Sequence, residues 1–228
     1  MKIAEIFHSI QGEGILTGLP SIFVRTSGCN LRCWYCDTPY TSWNPEGENR
    51  DVADIVREVL SYDCDHVVLT GGEPLLAPDL DELCHALHEQ EKHITIETAA
   101  TIFKSVPHNL ASLSPKFASS TPWQRDLRWA EQHEKLRLQI PVIQAFLDHA
   151  PDYQLKFVVD VQDDLDEIHE ILGQLSSVSN DKVLLMPQGV TVEEIEPRAK
   201  WILEHCRAHG FRYCPRLHIE LFGNQRGT

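Results

Sequence analysis

Cys29-Asn30-Leu31-Arg32-Cys33-Trp34-Tyr35-Cys36 sets three cysteines in the spacing C-x3-C-x2-C, with an aromatic residue directly before the last. Thiolates are soft ligands and select zinc, copper(I) or iron–sulfur groups. A loop this short wraps three of them around one centre and leaves the fourth corner to another group. A structural zinc site wants four protein ligands, usually two C-x2-C pairs, whereas a [4Fe–4S] cube on three cysteines keeps one iron open for a ligand or substrate. The alternative from these residues alone is a Cys3His zinc knuckle drawing on one of the chain's twelve histidines. Those histidines show no ligand spacing. His85 with His88 and His205 with His209 lie at helical intervals and are expected to be exposed.

The chain around this loop has 228 residues, enough for one substantial core, and one domain spanning 1–228 is the expectation. It is 42% hydrophobic and 24% charged, an ordinary soluble composition. A net charge of -14 argues against a nucleic-acid partner, which demands a basic footprint. No apolar run approaches the roughly 20 residues that cross a bilayer. Met1-Lys2-Ile3-Ala4-Glu5 lacks the apolar region of a signal peptide, so the expected compartment is the cytosol and no membrane partner is expected. Seven cysteines, three of them clustered, suit a reducing compartment; Cys64, Cys84, Cys206 and Cys214 are scattered and read as small buried hydrophobes.

Taken in order, Lys2 to Phe7 reads as a strand ending in the loop His8-Ser9-Ile10-Gln11-Gly12-Glu13-Gly14, and Pro20 to Ser27 as the strand feeding the cysteines. Arg25 alternates with Val24 and so faces away from that core side. Asp51 opens a helix through Val52, Ile55, Val56, Val59 and Leu60. His66 to Thr70 is an apolar strand that breaks at Gly71-Gly72-Glu73-Pro74, before a helix through Leu80, Leu83 and Leu87. The same grammar then repeats. Strands are expected at His93 to Thr98, Leu110 to Leu113, Gln154 to Val159, Lys182 to Met186 and Arg212 to Leu221. Helices are expected from about Thr121 to Phe146, Asp164 to Leu175 and Val192 to His209, the last opened by the capping box Thr191-x-x-Glu194 and closed by Gly210.

Strands alternating with helices imply a parallel sheet with right-handed crossovers. About six such units are too few for a full eight-stranded barrel and suit an open, partial (β/α)6 barrel. That fold brings the Gln11-Gly12 loop, the cysteine loop, Gly71-Gly72-Glu73-Pro74, Glu97-Thr98, Ser114-Pro115-Lys116 and Met186-Pro187-Gln188 to one rim. Asp37 and Thr38, next to the last cysteine, offer hard oxygens for a metal there.

The cysteine loop, with Tyr35 in the aromatic place, and the Gly-Gly-Glu-Pro turn about 35 residues later resemble the radical S-adenosylmethionine (SAM) superfamily. The resemblance implies that Cys29, Cys33 and Cys36 hold a [4Fe–4S] cluster in a partial (β/α)6 TIM-like barrel. The open iron chelates SAM, and one electron cleaves the cofactor to a 5′-deoxyadenosyl radical that must be kept dry. It further implies that Gly71, Gly72, Glu73, Glu97, Ser114, Lys116 and Gln188 line SAM, with Glu73 on its ammonium and Lys116 on its carboxylate. Ala99-Ala100 departs from the pattern, since relatives often carry Asn-Gly there.

Ser9-Ile10-Gln11-Gly12-Glu13-Gly14, Cys36-Asp37-Thr38, Ser114-Pro115-Lys116 and the end Phe222-Gly223-Asn224-Gln225-Arg226-Gly227-Thr228 are similar, within that superfamily, to the 7-carboxy-7-deazaguanine synthases. The likeness covers nearly the whole chain. It implies a radical ring contraction of 6-carboxy-5,6,7,8-tetrahydropterin to 7-carboxy-7-deazaguanine with loss of ammonia, in queuosine-precursor biosynthesis. Thr38 would then hold Mg2+, and Ile10, Gln11, Gly12, Glu13, Arg25 and Thr70 would grip the pterin. A homodimer and a flavodoxin or ferredoxin reductant are also implied. Two other readings stand beside it: a radical SAM activase acting on a glycine of a partner protein, and a passive zinc or iron–sulfur module.

Overall fold

Along each strand, alternate residues go to opposite faces, and that division builds both the core and the cavity. The computed structural model describes residues 1–228. Its nine strands are β1 Lys2–Ile10, β2 Pro20–Thr26, β3 Glu48–Asn49, β4 His66–Gly71, β5 His93–Thr98, β6 Leu110–Leu113, β7 Tyr153–Val159, β8 Val183–Pro187 and β9 Arg212–Tyr213. They form one sheet in the order β3-β1-β2-β4-β5-β6-β7-β8-β9. The pairs of β1 with β2 and β3 are antiparallel, and every pair from β2 to β9 is parallel. The helices are α1 Val52–Val59, α2 Leu80–Glu89, α3 Leu127–Leu136, α4 Ile140–His149, α5 Asp163–Leu172, α6 Val192–His209 and α7 Leu217–Phe222.

One set of alternate residues, including Ile22, Val24, Val67, Leu69, Ile94, Ile96, Leu155, Phe157, Val183 and Leu185, is fully buried in the main core with Ile55, Leu83, Leu87, Ile143, Phe146, Ile168 and Ile202 of the helices. The other set is largely polar, and most of its members pair across the inner face, His93 Nδ1 being left without a partner. Ser21 Oγ lies 2.6 Å from His66 Nδ1, whose Nε2 lies 2.8 Å from Thr95 Oγ1. Burial, with His93 alongside, lowers the His66 pKa to about 4, so the ring stays neutral. Gln154 donates to Ser112 Oγ at 2.7 Å.

The sheet does not close, so the partial barrel is open between its edges. Loops cross the gap: Leu217 N–H donates to the Gly12 carbonyl at 2.9 Å, and Gly14 N–H to Cys214 Sγ at 3.0 Å.

Two expected elements differ. The helix expected over Thr121–Phe146 is two, α3 and α4, because Pro141 lies in the first turn of α4 and cannot continue a preceding helix. The final strand stops at Tyr213, since Pro215 has no N–H for a ladder, and Leu217–Phe222 turns helical. As expected, β6 follows β5 with no helix between them. Both ends of α6 match expectation: Thr191 accepts from Glu194 N–H, and Gly210 closes the helix at φ 70°. Glu194, however, accepts from Val190 N–H at 2.7 Å instead of completing the box on Thr191. No helix is long and apolar enough to cross a membrane.

Candidate active site

The cysteine loop and the two-glycine turn are built against each other. Glu73 N–H donates to the Gly28 carbonyl at 2.9 Å and Gly72 N–H to that of Thr26 at 3.2 Å. A Cβ on Gly72 would stand 2.1 Å from the Gly28 oxygen. One on Gly71, at φ 132°, would stand 2.1 Å from the Thr26 oxygen. Only glycine permits this approach. Arg32 stiffens the loop from behind: its guanidinium donates to the Cys29 and Leu31 carbonyls, both at 2.7 Å, and stacks 3.9 Å from the Trp129 ring centroid.

A cavity of about 510 Å³ opens above this pair of turns, and Cys29, Cys33 and Cys36 line it. Burial raises all three thiols, Cys29 to about 12, so they ionise only with a cation to take up the charge. The three sulfurs do not all lie within 4.8 Å of one another. A single tetrahedral zinc at about 2.3 Å from each would hold them roughly 3.8 Å apart, so the donor set suits a larger centre. Thr38 lies beside it, with Cys36 Sγ 3.8 Å from its hydroxyl oxygen, which accepts from Thr41 Oγ1 at 3.4 Å. The Asp37 carboxylate, the other hard oxygen expected here, is taken by Arg216. Burial alone would raise its pKa, but the guanidinium holds it below the usual range.

Gly71, Gly72, Glu97, Ser114, Lys116 and Gln188 line the same cavity, as do Ile10, Gln11, Gly12, Glu13, Arg25 and Thr70. Glu97 joins the two groups, accepting from Gln11 Nε2 at 3.1 Å and Thr70 Oγ1 at 2.9 Å. Lys116 folds back on Ser114 Oγ at 2.8 Å. Arg25 pairs with Glu5 at 2.7 Å, and Tyr40 donates to the same carboxylate oxygen at 2.7 Å.

Glu73 is placed differently from expectation. Its side chain does not reach the cavity; it is 1% exposed and ties the turn to the end of β5. It accepts from Thr98 Oγ1 at 2.8 Å, Ala99 N–H at 2.9 Å and Leu75 N–H at 3.2 Å. Burial raises its pKa, and these donors partly restore it.

The floor of the cavity is a charged network that sequence reasoning missed. Glu13 pairs with Lys156 and, at 3.2 Å, with Arg216, and His218 stands 3.9 Å away. Burial alone would protonate Glu13; Lys156 and Arg216 instead hold it well below the usual carboxylate range. Asn224 to Thr228 complete the wall, and Arg226 of this segment pairs with Glu5 and Glu46 over the Tyr40 ring. Lys156 carried a readable signal, a lysine on the polar alternation of a buried parallel strand. Arg216 carried none.

The Radical SAM superfamily model matches residues 23–118. The 7-carboxy-7-deazaguanine synthase of Rhodopirellula baltica is 47% identical over 229 residues, covering 100% of this chain and 89% of the relative. The chain belongs to the 7-carboxy-7-deazaguanine synthase family. The family's Halobacterium salinarum member is 45% identical over 239 residues, covering 100% of this chain and 93% of its own length. The crystal structure of QueE from Escherichia coli superposes with a TM-score of 0.71 at 24% identity, covering 95% of this chain and 94% of that one, which shows the shared fold. Family membership brings a [4Fe–4S] cluster and SAM as cofactors, and the open three-sulfur set fits that cluster.

Proposed function

We propose that this chain converts 6-carboxy-5,6,7,8-tetrahydropterin to 7-carboxy-7-deazaguanine with loss of ammonia, as a radical SAM lyase in 7-deazapurine biosynthesis. The observation that carries the reading is the single cavity in which the three-cysteine loop faces the buried Glu13–Lys156–Arg216 network. A cluster site alone serves many reactions; this charged floor suits a small polar heterocycle.

When bound, the reduced cluster and SAM supply a radical that abstracts hydrogen. The chain's own residues bind, orient and exclude water. Cys29, Cys33 and Cys36 hold the cluster. The backbone of Gly71 and Gly72, with Glu97, Ser114, Lys116 and Gln188, lines SAM, and Lys116 offers its ammonium to the SAM carboxylate. Glu73 acts from behind by fixing the turn. Glu13, kept ionised, accepts from the guanidine-like N–H edge of the pterin, with Gln11 and the Ile10 to Gly12 backbone beside it. Arg25 suits the substrate carboxylate, and Thr70 adds a hydroxyl. Thr38 offers one oxygen to Mg2+, which keeps most of its shell as water and substrate.

The cavity's enclosure by the C-terminal residues favours a small substrate over the protein glycine an activase would need. The reading includes one domain, a homodimer that covers the exposed sheet edges, a flavodoxin or ferredoxin reductant, and a cytosolic location. Anaerobic incubation of cluster-loaded protein with reductant, SAM and 6-carboxytetrahydropterin tests it. Formation of 7-carboxy-7-deazaguanine by mass is expected; SAM cleavage without that product would sink the substrate assignment.

A further inference from the structure

Three histidines that play no part in the cavity converge elsewhere. His169 is in the last turn of α5, and His205 and His209 are in the last turns of α6, on one helix face four residues apart. One ring nitrogen from each lies within 4.8 Å of the other two. The H-x3-H spacing, read above as no more than helical, is the spacing by which a helix presents two imidazoles to one ion.

One nitrogen pair, now sharing a hydrogen bond, already stands at the separation found in a filled site. His169 Nε2 and His205 Nε2 are 3.1 Å apart. Two nitrogens each about 2.0–2.1 Å from a tetrahedral ion are separated by roughly 3.3 Å, and by less about an octahedral one. The rings are also held in place. His209 Nδ1 donates to the His205 carbonyl at 3.0 Å, which leaves Nε2 as its free acceptor. A second hydrogen bond of this kind is what orients metal-binding imidazoles. Phe211 packs against all three rings, with centroids 5.7–6.1 Å away.

We propose that His169, His205 and His209 bind one divalent ion of the zinc, cobalt or nickel class, with water in the remaining position. Neutral imidazoles select such borderline ions over Mg2+ or Ca2+. The helices run back from the rim, so their C-terminal ends lie at the far end of the sheet from the cavity, which none of the three residues lines. The ion would clamp α5 to α6 and stabilise the fold, with no part in the reaction.

The test uses anaerobic, cluster-loaded protein, so that the cluster cysteines are already occupied. Titration with Co2+ or Zn2+, followed by desalting and metal analysis, should leave one added ion per chain, unaffected by excess Mg2+. Co2+ should show visible absorption of tetrahedral strength. At one hundred times Kd, Zn2+ should raise the apparent melting midpoint by roughly 5–10 °C over chelator-treated protein. His209→Asn and His169→Gln, at exposed positions, should lose the ion and the shift while keeping iron content and SAM cleavage. His85→Asn in α2 should change nothing. Failure of the parent protein to retain an ion, or equal retention by the His209 and His169 variants, overturns the proposal.

Discussion

Glu13 and Lys156 stand 143 residues apart in sequence and meet as a buried ion pair, with side chains 14% and 6% exposed. Glu13 lies on the loop after β1 and Lys156 in the middle of β7, so the pair reaches across the inside of the open sheet. Arg216, from beyond β9, binds the same carboxylate. Removing one member of such a pair leaves an uncompensated charge and costs about 3–5 kcal/mol, an amount that Arg216 reduces by staying in place. Lys156→Met should therefore retain iron and uncoupled SAM cleavage while kcat/KM for the pterin falls by about 10- to 100-fold. Steady-state kinetics beside iron analysis distinguish this from general damage.

The same pair fixes a pH dependence. Glu13 is depressed, so its contribution is present above the ordinary value near 4.5 and is lost as pH falls through the lower folded value. Lys156 is raised, so its contribution is complete below the ordinary 10.5 and is lost only at higher pH. The melting difference between the parent protein and Glu13→Gln should stay flat from about pH 6 to 9 and shrink only in acid. A difference that disappears near neutrality would contradict the pairing.

Gly72→Ala tests the seam under the cofactor side. Its Cβ would lie 2.1 Å from the Gly28 oxygen and 2.8 Å from that of Thr41, both backbone atoms that cannot step aside alone. The strain, about 1–3 kcal/mol, falls on the cysteine loop. Lower iron retention after reconstitution and loss of SAM cleavage should appear together. Normal iron content with normal SAM cleavage would show that the two turns move independently.

Ala100 occupies the left-handed region at φ 54°. An L-residue there costs roughly 1–2 kcal/mol, and glycine returns about 0.4–1 kcal/mol of that through the entropy of the unfolded chain. Ala100→Gly should thus be neutral to stabilising by about 1 kcal/mol, read as a higher denaturant midpoint. A lower midpoint would mean that the methyl group's packing outweighs the strain.

The legible parts of this fold are those set by local pattern. The apolar strands, the cap at Thr191, Gly210 and the Gly71-Gly72 turn follow from neighbours within a few residues. The cysteine spacing identifies a cluster because all three ligands lie on one loop. Arg216 was hidden because its partners Glu13 and Asp37 are 203 and 179 residues away. The side-chain direction of Glu73 was hidden too: the motif marks its position, but only the packing of β5 beside the turn sends its carboxylate to Thr98 and Ala99 instead of to the cavity. The break between α3 and α4 is legible at Pro141, whose ring cannot continue a preceding helix.

Thr38 and Glu13 lie on opposite sides of the cavity problem and should fail differently. Thr38 contributes one hydroxyl 3.8 Å from Cys36 Sγ, in a place where Asp37 is already held by Arg216 and Ser42 Oγ donates to the same sulfur at 3.2 Å, so its oxygen is the one we assign to Mg2+. Removing it leaves the ion only water and substrate ligands. Thr38→Ala should keep the cluster and SAM cleavage but lose the stimulation of turnover by Mg2+. Glu13→Ala removes the acceptor for the pterin edge and strands Lys156, so turnover should fall by roughly 10- to 150-fold, the equivalent of about 1.5–3 kcal/mol for one charge-assisted hydrogen bond. Its response to Mg2+ should persist at the lower rate, and SAM cleavage without substrate should be unchanged. The deciding measurement is a pair of Mg2+ titrations, scored for product and for 5′-deoxyadenosine. If Thr38→Ala keeps the parent's Mg2+ response, or Glu13→Ala stops substrate-free SAM cleavage, the cavity is not divided between cofactor and pterin in the way its residues are arranged here.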